Sequence, residues 1–362
     1  MYCEEMGGLD ANQLLTQTTR WSALNRDPMS NGAGIVARTL REFAAANRIG
    51  IALSTLIIIA ASIALFVLLR DIEIGKVVAA IRSTAPQTIL TAAGFVACAY
   101  LTLTGYDFFA LRTIGRDDVP YRIAALASFT GYAIGHSLGA TAVTAGMVRY
   151  RIYSAHGLSL VDVAKIAFIT GLTFWLGNAF VLGLGMALKP AAASAINHVP
   201  GVFNRVIGLA GLAAIVGYLL WLVPRPRIIG RDHWQVTLPS APLTVVQIAI
   251  GVCDLTFVAL AMNALLPAQP PLAFLPLVVT IVMATLLGFA SHTPGSIGVF
   301  DAAMLIGLPL FEKEQLLASL LIFRFLYFVV PLFFAVIVLG IRELCSAFVP
   351  RPMRPRRDDC DG

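Results

Sequence analysis

The run from Ile49 to Leu69 carries no charged side chain over 21 residues, and it decides which solvent this chain folds in. About 18 consecutive apolar residues suffice for a helix to cross the roughly 30 Å hydrocarbon layer of a bilayer. Further apolar segments cover about 86–111, 120–147, 160–187, 203–223, 242–266, 271–308 and 318–341. Composition agrees: 13% of residues are charged, against about a quarter in soluble domains. The expected fold class is therefore an all-α polytopic membrane protein, with six to eight spans by hydropathy. Ile49–Leu69 is too long for a signal-peptide core and reads as an uncleaved anchor.

Three regions follow. Residues 1–48 are polar and carry Arg20, Arg26, Arg38, Arg41 and Arg48, a basic N-terminal segment expected in the cytoplasm. Within it, 1–28 is expected to be disordered or a misassigned start, and 29–50 a basic amphipathic lead-in. Residues 49–341 form the transmembrane region and 342–362 a basic cytoplasmic tail. Between the first two spans, Ile74, Val77, Val78 and Ile81 make an i, i+3, i+4, i+7 stripe opposed by Glu73, Lys76 and Arg82. That pattern predicts a short helix on the membrane surface. Pro86 then opens the second span.

Topology follows from where the basic residues fall. If every segment crosses, Arg149, Arg151, Arg225, Arg227 and Arg231 lie outside, against the positive-inside tendency. Segment 120–147, however, is interrupted by Gly131, Gly135, Gly139 and Gly146 and diluted by Ser, Thr and His. Read as a re-entrant hairpin, it leaves 19 Lys and Arg in the inner segments and five in the outer ones. The hairpin topology wins, with both termini cytoplasmic. Segment 271–308 then forms a second hairpin from the outer side, leaving about six full spans.

The two hairpins resemble each other. Gly131-Tyr-Ala-Ile-Gly-His136-Ser-Leu-Gly139-Ala lines up with Gly288-Phe-Ala-Ser-His292-Thr-Pro-Gly295-Ser, with one residue gapped. This reads as a degenerate inverted repeat, a common transporter architecture.

Charges inside hydrocarbon each cost on the order of 3 kcal/mol or more unless paired or hydrated, so they are the informative residues. Asp254 lies near mid-membrane. Arg324 lies about 9 Å into the last span at the helical rise, and Asp301 sits on the returning arm of the second hairpin. One reading has Arg324, countered by Asp254 or Asp301, lining a polar cavity that takes a lipid headgroup phosphate, since guanidinium binds phosphate bidentately. The other is a structural ion pair or a snorkelling arginine. Asp107 and Arg112 lie at the end of the second span, where an interfacial anchor is the favoured reading. Arg149-Tyr150-Arg151 has the composition of a phosphate-contacting loop and equally of a positive-inside anchor. His136 and His292 fall at the hairpin tips, where their first expected role is to satisfy freed backbone groups. A helix starting near Ser296 would point its N-terminal N–H groups at an anion. Trp175 and the aromatic cluster Phe323–Phe328 are expected to face lipid or pack. Ser159 to Asp162 reads as a capping box.

No phosphate-binding loop, nucleophile elbow or zinc spacing occurs, and the five cysteines show no redox or metal spacing. No metal, cofactor or nucleic-acid partner is expected, because the basic residues sit at helix ends rather than in a patch.

A set of stretches resembles the transmembrane region of the lysylphosphatidylglycerol synthetase family, the flippase-like half of the multiple peptide resistance factor and its stand-alone relatives. They are Gly105–Arg112, Ser128–Ala133, Thr144–Tyr153, Thr173–Gly177, Ser291–Phe300 and Phe323–Pro331, within about residues 45–345. The resemblance implies movement of aminoacylated or other phospholipids between leaflets of the inner membrane. Asp301 stands where the family pattern has Glu. The family's soluble aminoacyl-transferase domain would follow residues that here end at Gly362, so no aminoacyl transfer, and no enzyme activity, is expected of this polypeptide. The alternatives are an intramembrane headgroup-modifying enzyme using His136 or His292, and an accessory partner of a separate synthetase. A homo-oligomer is compatible with all three.

Overall fold

Helix starts and stops fall where backbone chemistry puts them. In the computed structural model, which describes residues 73–138, 141–223, 227–231 and 234–348, the predicted surface helix is α1 (Ile74–Ser83). Its Glu73–Lys76 pair at 2.9 Å lies in solvent, and of its apolar stripe only Val77 is fully buried. Pro86, whose missing N–H and fixed φ suit a first helical turn, opens α2 (Pro86–Thr113). Next come α3 (Tyr121–Leu138) and α4 (Thr141–Tyr153). The predicted capping box starts α5 (Leu160–Leu188): Ser159 Oγ accepts from the Asp162 N–H, and Asp162 Oδ2 accepts from the Ser159 N–H. A short α6 (Pro190–Asn197) leads into α7 (Gly201–Leu222). Buried Asn204 fixes that corner by donating to Ser194 Oγ and the Val199 carbonyl.

A two-stranded antiparallel hairpin, β1 (Ile228–Arg231) and β2 (Trp234–Thr237), pairs Ile229 with Val236 and joins α7 to α8 (Ala241–Leu265). Then come α9 (Phe274–Ser291), a 3-10 turn at Pro294–Ser296, α10 (Val299–Gly307), and α11 (Lys313–Arg324). A π-helical turn at Phe325–Val329 joins α11 to α12 (Val330–Phe348). Residues 1–48, the first predicted span 49–69, Gly139 and 349–362 lie outside the described residues.

Among the described residues six helices are long and apolar enough to cross a membrane, which makes the chain an all-α multi-pass membrane protein. Two details differ from expectation. The first arm of the second hairpin, Phe274–Ser291, is itself one of the six; its 18 residues span about 27 Å at the helical rise. The last span begins at Lys313 rather than 318 and its helix runs to Phe348 rather than 341. A helix can extend through a polar first turn at the interface, and apolar counting alone does not see that turn. Arg324 is consequently about 17 Å along its helix, nearer its middle than expected.

The bundle has two ends. Thr113 of α2, the last turn of α7 and the first turn of α8 line one shared pocket, so α2 and α8 run antiparallel. The first hairpin leaves from that end and returns to it: Arg116, before it, donates to the carbonyls of His156 and Gly157, after it. The second hairpin leaves from the opposite end, where Ser319 of α11 donates to the carbonyl of Leu265, the last residue of α8. Both are antiparallel, with Gly131 facing Ala145 and Gly288 facing Ser296.

The core lies where α2, α8, α9, α10 and α11 meet, and it includes Tyr100, Leu103, Met262, Ile281 and Leu320. Lipid-facing positions such as Leu90, Val202, Phe203, Val206 and Phe333 stay exposed and apolar. Without a hydrophobic drive between helices, close backbone approach supplies much of the attraction. At the α5–α8 crossing, a Cβ on Gly177 would lie 2.8 Å from Gly251 Cα.

Gly251→Leu should therefore destabilise the folded protein by about 1–3 kcal/mol through overpacking. Thermal melting in detergent measures this. Gly94→Ala, where nothing lies within 4 Å of the added carbon, should leave the midpoint unchanged or slightly raised.

Candidate functional site

Two arginine–aspartate pairs, the first buried and the second partly buried, hold the hairpins. In the first, Arg149 on α4 reaches Asp107 on α2. Nε donates to Oδ1 and Oδ2 at 3.1 and 2.8 Å, and Nη2 donates to Oδ1 at 2.7 Å. The Tyr153 hydroxyl donates to Asp107 Oδ2 at 2.9 Å, and the guanidinium lies 4.7 Å from the Tyr132 ring centroid. The side chains of Arg149 and Asp107 are 4% and 0% exposed. In the second, Arg324 donates through Nε to Asp301 Oδ1 at 2.7 Å and through Nη2 to Oδ2 at 2.8 Å. Its Nη1 donates to the Gly295 carbonyl and Nη2 to that of Ser296.

Asp301 also accepts the Gly298 N–H, so the second hairpin's own carboxylate occupies the start of α10. That helix starts at Val299, after a turn in which Gly295, Ser296 and Gly298 all have positive φ. The anion expected near Ser296 is thus supplied internally.

The pairs mirror each other with the signs exchanged. The returning arm carries the arginine in the first hairpin and the aspartate in the second; the partner comes from the span before or after. A column of rings connects them. Tyr132 lies 5.4 Å from His136, and His136 stacks on Tyr327 at 6.0 Å. Tyr327 stacks on Phe323 at 5.3 Å, and Phe323 on Phe300 at 6.2 Å. Arg324 lies 5.8 Å from the Phe300 centroid. Ser137, near the tip of the first hairpin, donates to the Phe328 carbonyl inside the π turn, and α3 packs against the Pro294–Ser296 turn of the second. The α3 arm of the first hairpin therefore meets the turn of the second inside the bundle.

Asp254 stands beside this column without a cation. It lies at the middle of α8, 6% exposed, and its Oδ1 has no partner. Tyr106 on α2 lies beside it, and Tyr106 in turn packs edge-on against Tyr132. Of the two expected counterions for Arg324, the structure supplies Asp301, and Asp254 stays apart.

The other candidates distribute as follows. His136 lies two residues before the end of α3 with Nδ1 buried and unpartnered. His292 takes a left-handed conformation (φ 55°) as the exposed C-cap of α9, its Nδ1 3.0 Å from the Ala290 carbonyl. The two histidines therefore differ in setting, and helix ends superpose the hairpins at an offset of 153 residues rather than 156. Arg112 is exposed, paired with Asp117 at 3.1 Å and 5.0 Å from the Phe108 centroid; its anchor reading fits that position. Asp107, grouped with it, is fully buried instead, because its helix face turns toward α4. Arg151 is exposed on α4. Trp175 is exposed, whereas Phe323 is buried in the column. Sequence reasoning missed Tyr132, Tyr153 and Tyr327, and Gln247, one of several buried polar residues on α8.

No family model matches the chain. Among individual proteins, it is 30% identical over 292 residues to the inner membrane protein YbhN of Escherichia coli, covering 79% of this chain and 89% of YbhN. The chain belongs to the YbhN family. It is likewise 31% identical over 248 residues to the uncharacterized protein slr0712 of Synechocystis, covering 68% of the chain and 76% of that relative. Phosphatidylglycerol lysyltransferases of Staphylococcus epidermidis match this YbhN-family chain at 28% identity over 123 residues, 33% of the chain and 14% of those proteins. The resemblance drawn from the motifs is thus recovered in part.

Removing one partner of a buried pair leaves an uncompensated charge. Arg149→Gln should cost about 3–5 kcal/mol of stability. The double variant Asp107→Asn, Arg149→Gln should recover most of it. Unfolding of the single and double variants in detergent, read as a double-mutant cycle, measures the coupling.

Proposed function

We propose that this protein is a phospholipid translocase of the bacterial inner membrane, acting on phosphatidylglycerol-type or aminoacylated headgroups, with both termini cytoplasmic. The observation that carries the reading is the pair of hairpins that enter from opposite ends and meet where α3 packs against the Pro294–Ser296 turn. Such a centre can open to one leaflet and then the other by rocking of the two halves, while acyl chains remain in lipid. The headgroup moves past the tips, near Asp254, His136, His292 and the Asp301–Arg324 pair. Arg324 uses Nε and Nη2 on Asp301 and further N–H groups on the Gly295 and Ser296 carbonyls. Those four bonds leave one Nη1–H for a phosphate, and a phosphate that binds through two N–H groups exchanges with one of those acceptors, which loosens the second hairpin as it binds. Substrate binding and hairpin release are then one event.

The relatives named as phosphatidylglycerol lysyltransferases support a lipid of this class. No nucleotide, metal or other cofactor is required by a rocking mechanism, and no nucleic acid is a partner. A separately encoded lipid synthetase is a natural supplier of substrate, and association of two copies is compatible with the exposed apolar faces.

A second reading is kept because His136 Nδ1 is buried without a partner: an intramembrane enzyme that uses it as acid or base on the headgroup. Lipid translocation in proteoliposomes, with headgroup-labelled phosphatidylglycerol and its lysyl derivative, separates the readings. Wild type should move at least one of the two, and Arg324→Ala, checked for folding, should lose that activity at least about tenfold, the equivalent of roughly 1.4 kcal/mol. Well-folded wild type that moves neither lipid rejects translocation. Change in the lipid's chemistry that depends on His136 would establish the enzyme, and co-purification of a synthetase without transport would establish an accessory role.

A further inference from the structure

One side of α8 carries a run of polar residues. Ser240 at its N-cap, Thr244, Gln247, Gly251 and Asp254 follow at spacings of four, three, four and three, so they share a face. All but Ser240 are buried. The face leads from the bundle end shared by α2 and α7 to the centre of the helix. Along it, three buried side-chain atoms have no partner: Gln247 Nε2, Gln247 Oε1 and Asp254 Oδ1. Buried polar groups are nearly always satisfied, so three on one face, ending at a carboxyl, call for an exchangeable partner.

The surroundings of Asp254 identify that partner. From α2 it is faced by Tyr100 and Tyr106, and from the π turn by Tyr327. Beyond Tyr106 lie Tyr132 and His136 of α3. Toward α5 it has the Gly177–Gly251 crossing, and α9 carries no ionisable residue in its span. Of α11's charges, Lys313 and Glu314 are in the first turn, far from Arg324 at its end. The arginines of the two hairpin pairs, Arg149 and Arg324, are each committed to another carboxylate. An unpaired carboxylate in this setting bears the full cost of charge burial, whereas the neutral acid does not. No cluster of three metal-ligating side chains occurs among the described residues, so the smallest exchangeable cation fits best.

We propose that Asp254 is a proton-binding site, loaded and unloaded through the Gln247 face of α8 from the end where α2 stops and α8 starts. The carboxyl takes a proton from water as COOH and returns it to water as COO⁻; no other bond changes. Resting on the translocase reading, the consequence is that lipid movement is coupled to the proton gradient, with Asp254 accepting the proton in one hairpin arrangement and releasing it in the other.

Infrared difference spectroscopy of the purified full chain across a pH series tests the site without any lipid substrate. A protonated-carboxyl stretch that shifts in D2O and fades with rising pH should be present in wild type, absent in Asp254→Asn, and present but displaced in Asp254→Glu. Gln247→Leu should slow its exchange with D2O. A band that survives in Asp254→Asn, or none in wild type, overturns the proton site whether or not the protein moves lipid. In proteoliposomes that translocate, a one-unit pH gradient should change the wild-type rate by up to about tenfold, the change in proton loading per unit, and leave Asp254→Asn indifferent to the gradient. A wild-type rate that ignores the gradient overturns the coupling. A titrating band in a protein that moves no lipid upholds the site and rejects the translocase reading instead.

Discussion

A guanidinium and a carboxylate buried together inside a membrane protein leave little freedom to the helices that carry them. Asp107–Arg149 ties α4 to α2, and Asp301–Arg324 ties α10 to α11. Neither hairpin is long enough to hold itself in place: α4 has 13 residues and α10 has nine. In hydrocarbon, a short broken helix has backbone groups to satisfy at its tip, and only protein can satisfy them. Arg324 does this directly at the second tip, where it donates to two consecutive carbonyls, Gly295 and Ser296. The ion pairs are thus less a source of net stability than a means of fixing where the tips sit.

What the pairs fix, the rings transmit. The column from Tyr132 through His136, Tyr327, Phe323 and Phe300 runs between two arginines whose guanidinium groups face its terminal rings. The π turn at Phe325–Val329 lies beside it, and it receives hydrogen bonds from both sides: Tyr100 donates to the Tyr327 carbonyl and Ser137 to that of Phe328. π turns interrupt a helix ladder and expose carbonyls, and they collect at functional positions. Here the freed acceptors bind α2 and the first hairpin to the span that carries Arg324.

Much of this was legible in the sequence, for identifiable reasons. Spans at 86–111, 160–187, 203–223 and 242–266 emerge within about two residues of their ends because the bilayer demands uniform apolarity over a fixed length. The break in the second hairpin could be read at Thr293-Pro294-Gly295; in the first, Gly131, Gly135 and Gly146 lie inside α3 and α4, and the charge count rather than the glycines pointed to a hairpin. The Asp107–Arg149 pair was not legible. Its members are 42 residues apart, each near a segment end where water is the simplest partner, and only the packing of α4 on α2 turns them inward. The last helix was begun too late because Lys313, Glu314 and Gln315 look like loop by composition. The likeness of His136 to His292 was real as a string but slipped by three residues as structure, and one turn of helix separates a ring in the core from one at the surface.

The two arginines and the three buried aspartates give the centre of the bundle an odd count of negative charge. Two aspartates are neutralised at bidentate distance, and the third, Asp254, has tyrosines instead. A protein selecting only for stability would place an apolar residue there, since replacing buried charge with packed hydrophobic volume is neutral or favourable. Fully paired positions in the same bundle show that the sequence can supply an arginine where one is needed. The carboxyl at 254 is left uncommitted on a helix that touches both halves, α2 on one side and α11 on the other. Its charge state therefore bears on how those halves pack, and that is the property a moving centre requires.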